Sequence, residues 1–443
     1  MPETEYQFGD CTYIEVLEKE IPLEHWYPPN CNERPRIEYC MEIDSLALVY
    51  GSACGKKFLA TFTPSERHGK LSVNPGESDK IFYELVLSNK IPGLNITLLD
   101  PLDSVVDVNI EPPGRSSLYF RVLVSNGEAY HVKAYRILEE DNMEPLVLAY
   151  LRDNNIDFSP RLMGFIEFSG YFTHILMEKF EGDPVVSHFV REALRTLETH
   201  SISIPKISGK IGSLVGKLHC IMLKCNYEWC SPQPVTEDDL SRWVFRIDWR
   251  LEHMKKHPDS HVREIAMRLS DHFNELNILS KYNLPSIKMR THGDPHLYQF
   301  VAKDNGELML VDYEGEPDRL PAIQSEKEPP IRDLAVIYRS LHYIAVVSYS
   351  IQKGLEIKKA SSSLPDIMYS WIDKVYNSML EQYEIQTRNC LQRDNYSSQA
   401  LMFWSIERAT YEFFYESIYN TGLESIPLSW LERSLDIIDK EEY

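Results

Sequence analysis

The sequence lacks several features that would place it in large classes of proteins. Its eight cysteines include no CxxC pair, which argues against a zinc ribbon. No apolar run reaches the roughly 18 residues that cross a bilayer, because the longest, LAVIYRSLHYIAVVSYSI, is interrupted by Arg339 and His342. Basic residues are also scarce: 46 Lys and Arg stand against 67 Asp and Glu, giving a formal net charge of −21. Because nucleic acids and anionic membranes repel such a charge, neither is expected as a partner.

The first residues, MPETEYQFGD, are polar and acidic and do not resemble a signal peptide. We therefore expect a cytoplasmic protein in which most cysteines are reduced and buried. The closely spaced Cys220, Cys225 and Cys230 are interpreted as packing and a loop rather than as a metal site.

Sequence patterns divide the 443 residues into three regions. Residues 1–105 contain short β-like runs such as RIEYCMEI, KKFLATF and DKIFYELVLS, broken by Gly, Pro and Asn, which predict a small, mostly β cap. Residues 106–182 show a strand, an SNG turn, a returning strand, a helix near 143–153 and a second hairpin. Residues 183–443 are mostly helical by apolar periodicity, and the breaker EGDP at 181–184 is a predicted hinge before them.

Two nearby stretches carry the residue types that phosphoryl transfer requires: THGDPHLYQF at 291–300 and LMLVDYEGEPDRL at 308–320. That reaction needs a carboxylate to orient the acceptor hydroxyl and accept its proton, and oxygen ligands for Mg²⁺. Asp294 precedes Gln299 by five positions, the spacing between the catalytic Asp and the metal-binding Asn of protein kinases. Asp312 follows an apolar strand after a turn. We predict that Asp294 is catalytic and that Gln299 and Asp312 bind Mg²⁺.

An ATP-binding half is predicted upstream. Lys133 alternates with apolar neighbours in AYHVKAYRI, as expected of a lysine that holds phosphates, and Glu144 at the start of the next helix is its candidate partner. No GxGxxG is present, and Ser116 and Ser117 in PPGRSSLYF are the candidates for holding phosphate. The alternative interpretation of Lys133 is an ordinary strand lysine that faces solvent. The alternative interpretation of the stretch with Ser116 and Ser117 is a plain β-turn.

Other residues of the two stretches leave alternatives open. His292 is expected to brace the loop, whereas His296 contacts phosphate or acceptor, or is structural. A zinc site at these histidines is disfavoured because no third His or Cys ligand lies nearby. Three interpretations are open for Glu314 and Glu316: an additional oxygen ligand of the metal, a contact with substrate, or an ordinary solvated loop residue.

The combined pattern resembles the maltokinases, members of the aminoglycoside-phosphotransferase-like superfamily. Those enzymes show HGDLHLGQ, then DFEGEP, then LRDVA followed by LRS and a tyrosine. The matching residues here are His292, Gly293, Asp294, His296, Gln299, Asp312, Glu314, Gly315, Glu316, Pro317, Arg332, Asp333, Ala335, Arg339, Ser340 and Tyr343. IGSLVGKLH, which ends at His219, resembles the helix before the catalytic loop, and the resemblance implies that Asp333 braces that loop.

A second match lies near the end of the chain. RATYEFFYESIYNTGLESIPLSWL resembles the family's (K/R)AxYExxYExxNRPxWxxIPL segment, which lines the sugar pocket. The matching residues are Arg408, Tyr411, Glu412, Tyr415 and Glu416, and the first four share one helical face that suits a sugar. The chain departs from the family at Pro295, which replaces a leucine, and at 419–422, where Tyr-Asn-Thr-Gly replaces Asn-Arg-Pro beside the pocket.

The pattern of regions is, by analogy, that of the protein kinases. We expect an α+β, bilobal, protein-kinase-like fold: a β-rich amino-terminal cap and small lobe, then a helical carboxy-terminal lobe. The resemblance implies a maltokinase that uses ATP and Mg²⁺ to phosphorylate maltose, in possible association with a trehalose-metabolising enzyme. Glucosamine, another hexose or an aminoglycoside-like amine remains open as the acceptor, as does a catalytically inactive protein that binds nucleotide or sugar.

Overall fold

The structure, a computed structural model, describes residues 14–24, 27–28, 31–43, 46–67, 70–74, 93–111, 117–140, 142–274, 282–303, 305–316 and 326–441. The chain divides into two compact units between Glu181 and Gly182. The predicted run DKIFYELVLS at 79–88 lies outside the described residues. The predicted boundary between cap and small lobe at residue 105 remains a prediction.

The amino-terminal unit begins with helix α1 (Ile14–Glu20) and a first antiparallel sheet. Apolar side chains of α1 and of the sheet share one buried core, with Leu17, Phe58 and Phe62 almost fully buried. The strands, in sheet order, are β1 (Arg36–Ile43), β2 (Leu46–Ala53), β3 (Lys56–Arg67) and β4 (Lys70–Asn74), with the short β9 (Ile137–Leu138) paired to β3.

A second antiparallel sheet of the same unit has the strand order β5-β10-β11-β8-β7-β6. The predicted SNG hairpin is present between β7 and β8, and Gly127 in its turn has a φ of 87°, which favours glycine. Helix α2 (Glu144–Asp153) follows, as predicted. The strands are β5 (Leu94–Leu98), β6 (Val105–Ile110), β7 (Ser117–Val124), β8 (Ala129–Tyr135), β10 (Leu162–Phe168) and β11 (Tyr171–Glu178).

The carboxy-terminal unit is mostly helical, as its apolar periodicity predicts. Thr236 caps α5 through a reciprocal capping box with Asp239. The helices are α3 (Val186–Thr199), α4 (Ser208–Met222), α5 (Glu237–Met254), α6 (Ser260–Phe273), α7 (Ile331–Lys353), α8 (Ile357–Ser362), α9 (Asp366–Thr387), α10 (Ser398–Tyr419) and α11 (Ser425–Glu441).

Short strands interrupt the helices where the sequence predicts a loop and a hairpin. A small sheet contains β12 (Asp183–Pro184), β15 (Phe300–Ala302) and β16 (Leu308–Leu310), and β13 (Gln233–Pro234) pairs with β14 (Ile287–Lys288). Because β15 directly follows Gln299 and β16 ends shortly before Asp312, this sheet fixes both ends of the predicted metal-binding hairpin.

Helix α7 is long and apolar enough, by length and composition alone, to cross a membrane. Most of its apolar window is buried, however, and it packs against α10 and α3. The helix therefore has the environment of a core helix, as its interrupting Arg339 and His342 indicate.

The expectation of reduced cysteines is wrong for six described residues. Disulfide bonds join Cys31 to Cys54, Cys220 to Cys390, and Cys225 to Cys230. The first pair links two loops beside the strands of the first sheet, and the second links the end of α4 to the turn after α9. Which cysteines pair depends on which chain segments meet in the folded protein, and the spacing of cysteines alone does not reveal this. The cytoplasmic location stays a prediction.

Helices α4 and α9 approach closely because glycines line the contact face of α4. A Cβ on Gly212 would lie 1.9 Å from the backbone oxygen of Met379, and one on Gly216 would lie 2.9 Å from side-chain carbons of Gln386. These positions therefore allow the two backbones to pack without intervening side chains.

Replacing Gly212 with Ala tests this contact. We expect the free energy of unfolding to fall by about 3 kcal/mol, because the backbone of Met379 can yield only if the helices separate. Alanine would otherwise stabilise a helix by roughly 1 kcal/mol. Denaturant unfolding followed by circular dichroism measures the change, with Lys217→Ala on the exposed face of α4 as the control. Equal midpoints for the two variants would show that the helices are not in close contact.

Candidate active site

The loop that begins at Thr291 is anchored by one buried carboxylate at the start of α7. Asp333 accepts hydrogen bonds from the backbone N–H groups of His292 and Gly293, each at 2.9 Å. His219 Nε2 lies 3.1 Å from Asp333 Oδ2, and the Tyr383 hydroxyl lies 2.8 Å from His219 Nδ1. Burial alone would raise the pKa of Asp333, but the hydrogen bond and charge of His219 and the N–H of Gly293 lower it below its ordinary value. Asp333 is therefore ionised and fixes the loop backbone.

His292 is fully buried within the same loop. Its Nε2 lies 3.0 Å from the carbonyl oxygen of Val311, and its Nδ1 accepts the backbone N–H of Asp294 at 3.3 Å. Burial lowers the pKa of His292, and nearby carboxylates such as Asp333 only partly offset this. A neutral imidazole with its proton on Nε2 satisfies both contacts, so His292 links the loop to the strand end before Asp312.

The two motif stretches meet at glycines. Gly293 has a φ of 93° and Gly315 a φ of 85°, and a Cβ on Gly293 would lie 3.1 Å from Gly315 Cα. Arg332 Nη1 also donates a hydrogen bond of 2.7 Å to the carbonyl oxygen of Gly293. A larger residue at 293 would therefore separate the loop from the DYEG turn.

Asp294 lies beside this junction and is only 6% exposed. Its Oδ1 is 2.9 Å from Arg408 Nη2, the distance of an ion pair, yet no hydrogen-bond donor among the described residues is aligned with that oxygen. His296 Nε2 lies 3.9 Å from Asp294 Oδ2. The charge of the buried Asp294 carboxylate is therefore offset by Arg408, and its second oxygen faces His296.

Gln299 and Asp312 are brought together as the spacing predicts. The side-chain amide of Gln299 donates to Asp312 Oδ2 at 2.6 Å and lies 3.3 Å from His296 Nε2. Asp312 has a φ of 70°, a left-handed conformation that costs a non-glycine residue about 1–2 kcal/mol and is typical of functional positions. Glu314 follows in the turn and is half-buried. Amide and carboxylate oxygens are the ligands that Mg²⁺ prefers, so this donor set fits that ion.

Arg408 on α10 is surrounded by carboxylates. Its Nε donates to Glu412 Oε1 at 3.1 Å, its Nη1 donates to Glu316 Oε1, and its Nη2 faces Asp294. Burial lowers the pKa of Arg408, but Asp294, Glu316 and Glu412 outweigh it and raise the pKa well above the ordinary value. Arg408 therefore stays charged inside the protein.

Glu316 is not the solvated loop residue that one interpretation of the sequence allowed. It is buried and forms ion pairs with both Arg332 and Arg408. Sequence reasoning missed the buried charges around it, because nothing local marks an arginine or a glutamate as internal. The described members of this charge cluster are Arg246, Arg250, Arg332, Arg339, Arg408, Asp294, Glu316, Glu328, Glu407 and Glu412.

The predicted sugar-binding face of α10 carries a row of tyrosines. The ring centroids of Tyr411 and Tyr415 are 5.9 Å apart, those of Tyr415 and Tyr419 are 4.7 Å apart, and Arg408 lies over the Tyr411 ring at 4.9 Å. Tyr411 is buried, which raises its pKa well above the ordinary value, whereas Tyr415 is half-buried. Arg408, Tyr411, Glu412 and Tyr415 thus share a face, as the helical spacing predicts.

The predicted ATP-binding residues lie in the amino-terminal unit. Lys133 Nζ on β8 is 2.7 Å from Glu144 Oε2 at the start of α2, and both side chains are buried. The Tyr135 hydroxyl donates to the same oxygen at 2.7 Å. Lys133 is therefore not the solvent-facing strand lysine of the alternative interpretation. Ser117 is buried at the start of β7, whereas Ser116 lies outside the described residues.

No protein-family model matches the chain. Solved structures titled glucosamine kinase are similar in fold: crystal form B has a TM-score of 0.65 at 16% identity, covering 95% of this chain and 98% of that chain. The complex with glucosamine, ADP and inorganic phosphate has a TM-score of 0.63 at 14% identity, covering 96% and 99%. Crystal form A has a TM-score of 0.61 at 14% identity, covering 90% and 92%. The predicted mixed fold, with a β-rich amino-terminal part and a helical carboxy-terminal part, is confirmed, whereas membership of the maltokinase family is not.

Replacing Asp333 with Asn tests the anchor of the loop. We expect a loss of about 3 kcal/mol in the free energy of unfolding at pH 7, because the amide loses the charge and one acceptor oxygen. The pKa of Asp333 in the folded protein lies below its ordinary 3.8. Its stabilisation is therefore complete above about pH 4 and is lost as the pH falls through the lower, folded pKa.

The difference in stability between the wild type and Asp333→Asn should thus shrink below about pH 4. Denaturant unfolding at a series of pH values from 7 downwards measures it. Asp439→Asn is the control, because Asp439 is exposed and pairs only with Arg268 among the described contacts. A difference that stays constant down to pH 2.5 would contradict the assignment.

Proposed function

We propose that the protein transfers the γ-phosphoryl group of ATP to a hydroxyl group of a sugar, with maltose as the acceptor and maltose 1-phosphate as the product. The observation that carries this proposal is the buried carboxylate of Asp294, which is paired with Arg408 and sits on a loop anchored by Asp333. The fold shared with glucosamine kinase supports it, and one of those structures holds glucosamine, ADP and inorganic phosphate.

In the proposed reaction, Asp294 accepts a hydrogen bond from the sugar hydroxyl and orients its oxygen towards the γ-phosphorus. As the new O–P bond forms, the bond between the γ-phosphorus and the β,γ-bridging oxygen breaks, the proton passes to Asp294 and ADP leaves. Asp333 and His292 hold the loop so that this carboxylate does not move. Such fixed positioning supplies most of the catalysis in phosphoryl transfer.

ATP binding is assigned to the amino-terminal unit. Lys133, held by Glu144, would contact the α- and β-phosphates, with Ser116 and Ser117 near the phosphates. Gln299 and Asp312, with Glu314, would hold Mg²⁺. When bound, that ion neutralises the β- and γ-phosphates.

The sugar is assigned to the face of α10 and to the catalytic loop. Tyrosine rings stack on sugar rings, and charged groups bond their hydroxyls. The proposed residues are His296, Arg408, Tyr411, Glu412 and Tyr415. A cytoplasmic location and an association with a trehalose-metabolising enzyme remain predictions.

A second candidate acceptor is glucosamine or a related aminosugar. The glucosamine-bound structure of similar fold favours it, as does the departure at 419–422 beside the proposed sugar pocket. Phosphorylation of maltose and of glucosamine gives different products, so an acceptor panel separates the two candidates.

The proposal is tested by ADP release with Mg-ATP across maltose, glucose, glucosamine and trehalose. We expect turnover with maltose, a product identified as an anomeric phosphate by ³¹P nuclear magnetic resonance, and a loss of about 10³-fold in kcat for Asp294→Asn. Asp271→Asn, on the exposed surface of α6, is the matched control. Turnover that Asp294→Asn leaves unchanged would remove that residue from the chemistry. Nucleotide binding without turnover on any sugar would favour a binding protein instead.

Lys133→Met tests the ATP-binding half separately. We expect kcat/KM for ATP to fall at least about 100-fold, because the phosphates lose their cation and Glu144 is left as an uncompensated buried charge. Steady-state kinetics at varied ATP measures this, with thermal unfolding to confirm that the variant is folded. Lys217→Met, an exposed lysine, should leave kcat/KM unchanged. An equal effect of both substitutions would argue against a role for Lys133.

A further inference from the structure

Arg408 has each of its three guanidinium nitrogens directed at a different carboxylate: Glu412, Glu316 and Asp294. Its orientation, and hence the position of the cation beside Asp294, is therefore set by the other two carboxylates. Of these, Glu412 is one helical turn further along α10 and contacts Nε, the nitrogen that defines the plane of the guanidinium group.

Glu412 is in turn held by an arginine from another helix. Arg339 on α7 donates from both Nε and Nη2 to Glu412 Oε2, at 3.0 and 2.8 Å. Because both bonds use the same carboxylate oxygen, Glu412 Oε1 is left for Arg408 Nε at 3.1 Å. The two oxygens of Glu412 thus connect two arginines in a fixed order.

The remaining nitrogen of Arg339, Nη1, contacts His342 Nδ1 at 3.1 Å. Burial, followed by the charges of Arg339 and Arg433, lowers the pKa of His342 well below its ordinary value. A neutral His342 can accept the hydrogen bond of Arg339 on Nδ1, with its proton on Nε2. Arg339 therefore has a partner on each of its three nitrogens, and its side chain is fully buried.

We propose that Arg339 is a positioning residue for the phosphoryl transfer assigned above: through Glu412 it orients Arg408, and through Arg408 it fixes the carboxylate of Asp294. The expected effect of Arg339 on turnover rests on the proposed function. The expected effect of Arg339 on the position of Asp294 rests on the contacts alone. Arg339 itself contacts neither Asp294 nor, on the proposed assignment, the nucleotide. Its removal should therefore lower kcat without weakening ATP binding.

Arg339→Lys tests the proposal because lysine keeps the charge but has one nitrogen where arginine has three. It can bond Glu412 or His342 but cannot hold Glu412 Oε2 from two nitrogens at once. We expect kcat to fall about 10- to 100-fold, the effect of displacing a reacting group by up to 1 Å. The KM for ATP should stay within about 2-fold, because the substituted contacts lie on the acceptor side.

Arg152→Lys is the control. Arg152 is half-buried and paired, with Asp100 Oδ1 at 2.8 Å, but it lies in the amino-terminal unit, outside the charge cluster around Arg408. A purely structural effect of losing an arginine ion pair would lower the thermal stability of both variants and alter their kcat equally. A selective loss of kcat in Arg339→Lys supports the positioning role, and an equal loss in both variants overturns it.

If Arg339→Lys does not fold, a pair of substitutions at His342 decides the question. His342→Asn keeps an acceptor for Arg339 Nη1, whereas His342→Leu removes it. We expect kcat to fall several-fold for His342→Leu and to remain near the wild-type value for His342→Asn. Identical kcat values for the two variants would contradict the proposal.

A crystal structure of the folded variant separates this proposal from the proposed function. In Arg339→Lys, or in His342→Leu if the first variant does not fold, the distance from Arg408 Nη2 to Asp294 Oδ1 should increase from 2.9 Å to beyond the 4 Å of an ion pair. If the wild type turns over no sugar, the proposed function fails and this distance alone decides the inference. An unchanged distance overturns it, whatever the kinetics show.

Discussion

The geometry of the loop that carries Asp294 depends on the buried carboxylate of Asp333. It accepts two successive backbone N–H groups, from His292 and Gly293, and so fixes the peptide units immediately before Asp294. A carboxylate with no other support would be costly to bury, but His219 and the backbone donors stabilise its charge. The loop conformation is thus tied to the ionised state of a residue some forty positions later in the chain.

A second constraint comes from the charge cluster around Arg408. Its named members are five arginines and five carboxylates, so their formal charges cancel, and all ten side chains are buried. Buried ion pairs contribute little net stability compared with apolar packing, but removing one partner leaves a charge that is costly to bury. Such a cluster tolerates few alternative arrangements, so it specifies where the guanidinium group beside Asp294 lies. This specificity suits the proposed acceptor site, which must hold one hydroxyl in line with a phosphorus.

The sequence was sufficient for those parts of the site that depend on local spacing. The five-residue interval between Asp294 and Gln299 and the strand that precedes Asp312 correctly predicted that Gln299 and Asp312 meet. The predicted pairing of Lys133 on β8 with Glu144 at the start of the next helix is also present. The roles assigned to these residues remain proposals, because geometry alone does not show catalysis.

Contacts between distant segments could not be predicted in this way. Arg339 and Glu412 are separated by 73 positions, and no spacing in the sequence indicates that they pair. The close approach of Gly212 to Met379 depends on how two helices cross, and the cysteine pairs depend on which loops meet. Each of these requires knowledge of the packed fold, because side chains that are adjacent in space need share no period in the sequence.

The disulfide between Cys220 and Cys390 has a topological consequence. It closes a covalent ring that spans 170 positions and contains Asp294, Gln299, Asp312 and Asp333, while Arg408 and the tyrosines of α10 lie outside it. In the chain-entropy picture, a ring of this size restricts the unfolded chain by roughly 5 kcal/mol. It also means that hydrolysis of one peptide bond between Cys230 and Cys390 would leave a single covalent molecule, heavier by one water, until the disulfide is reduced.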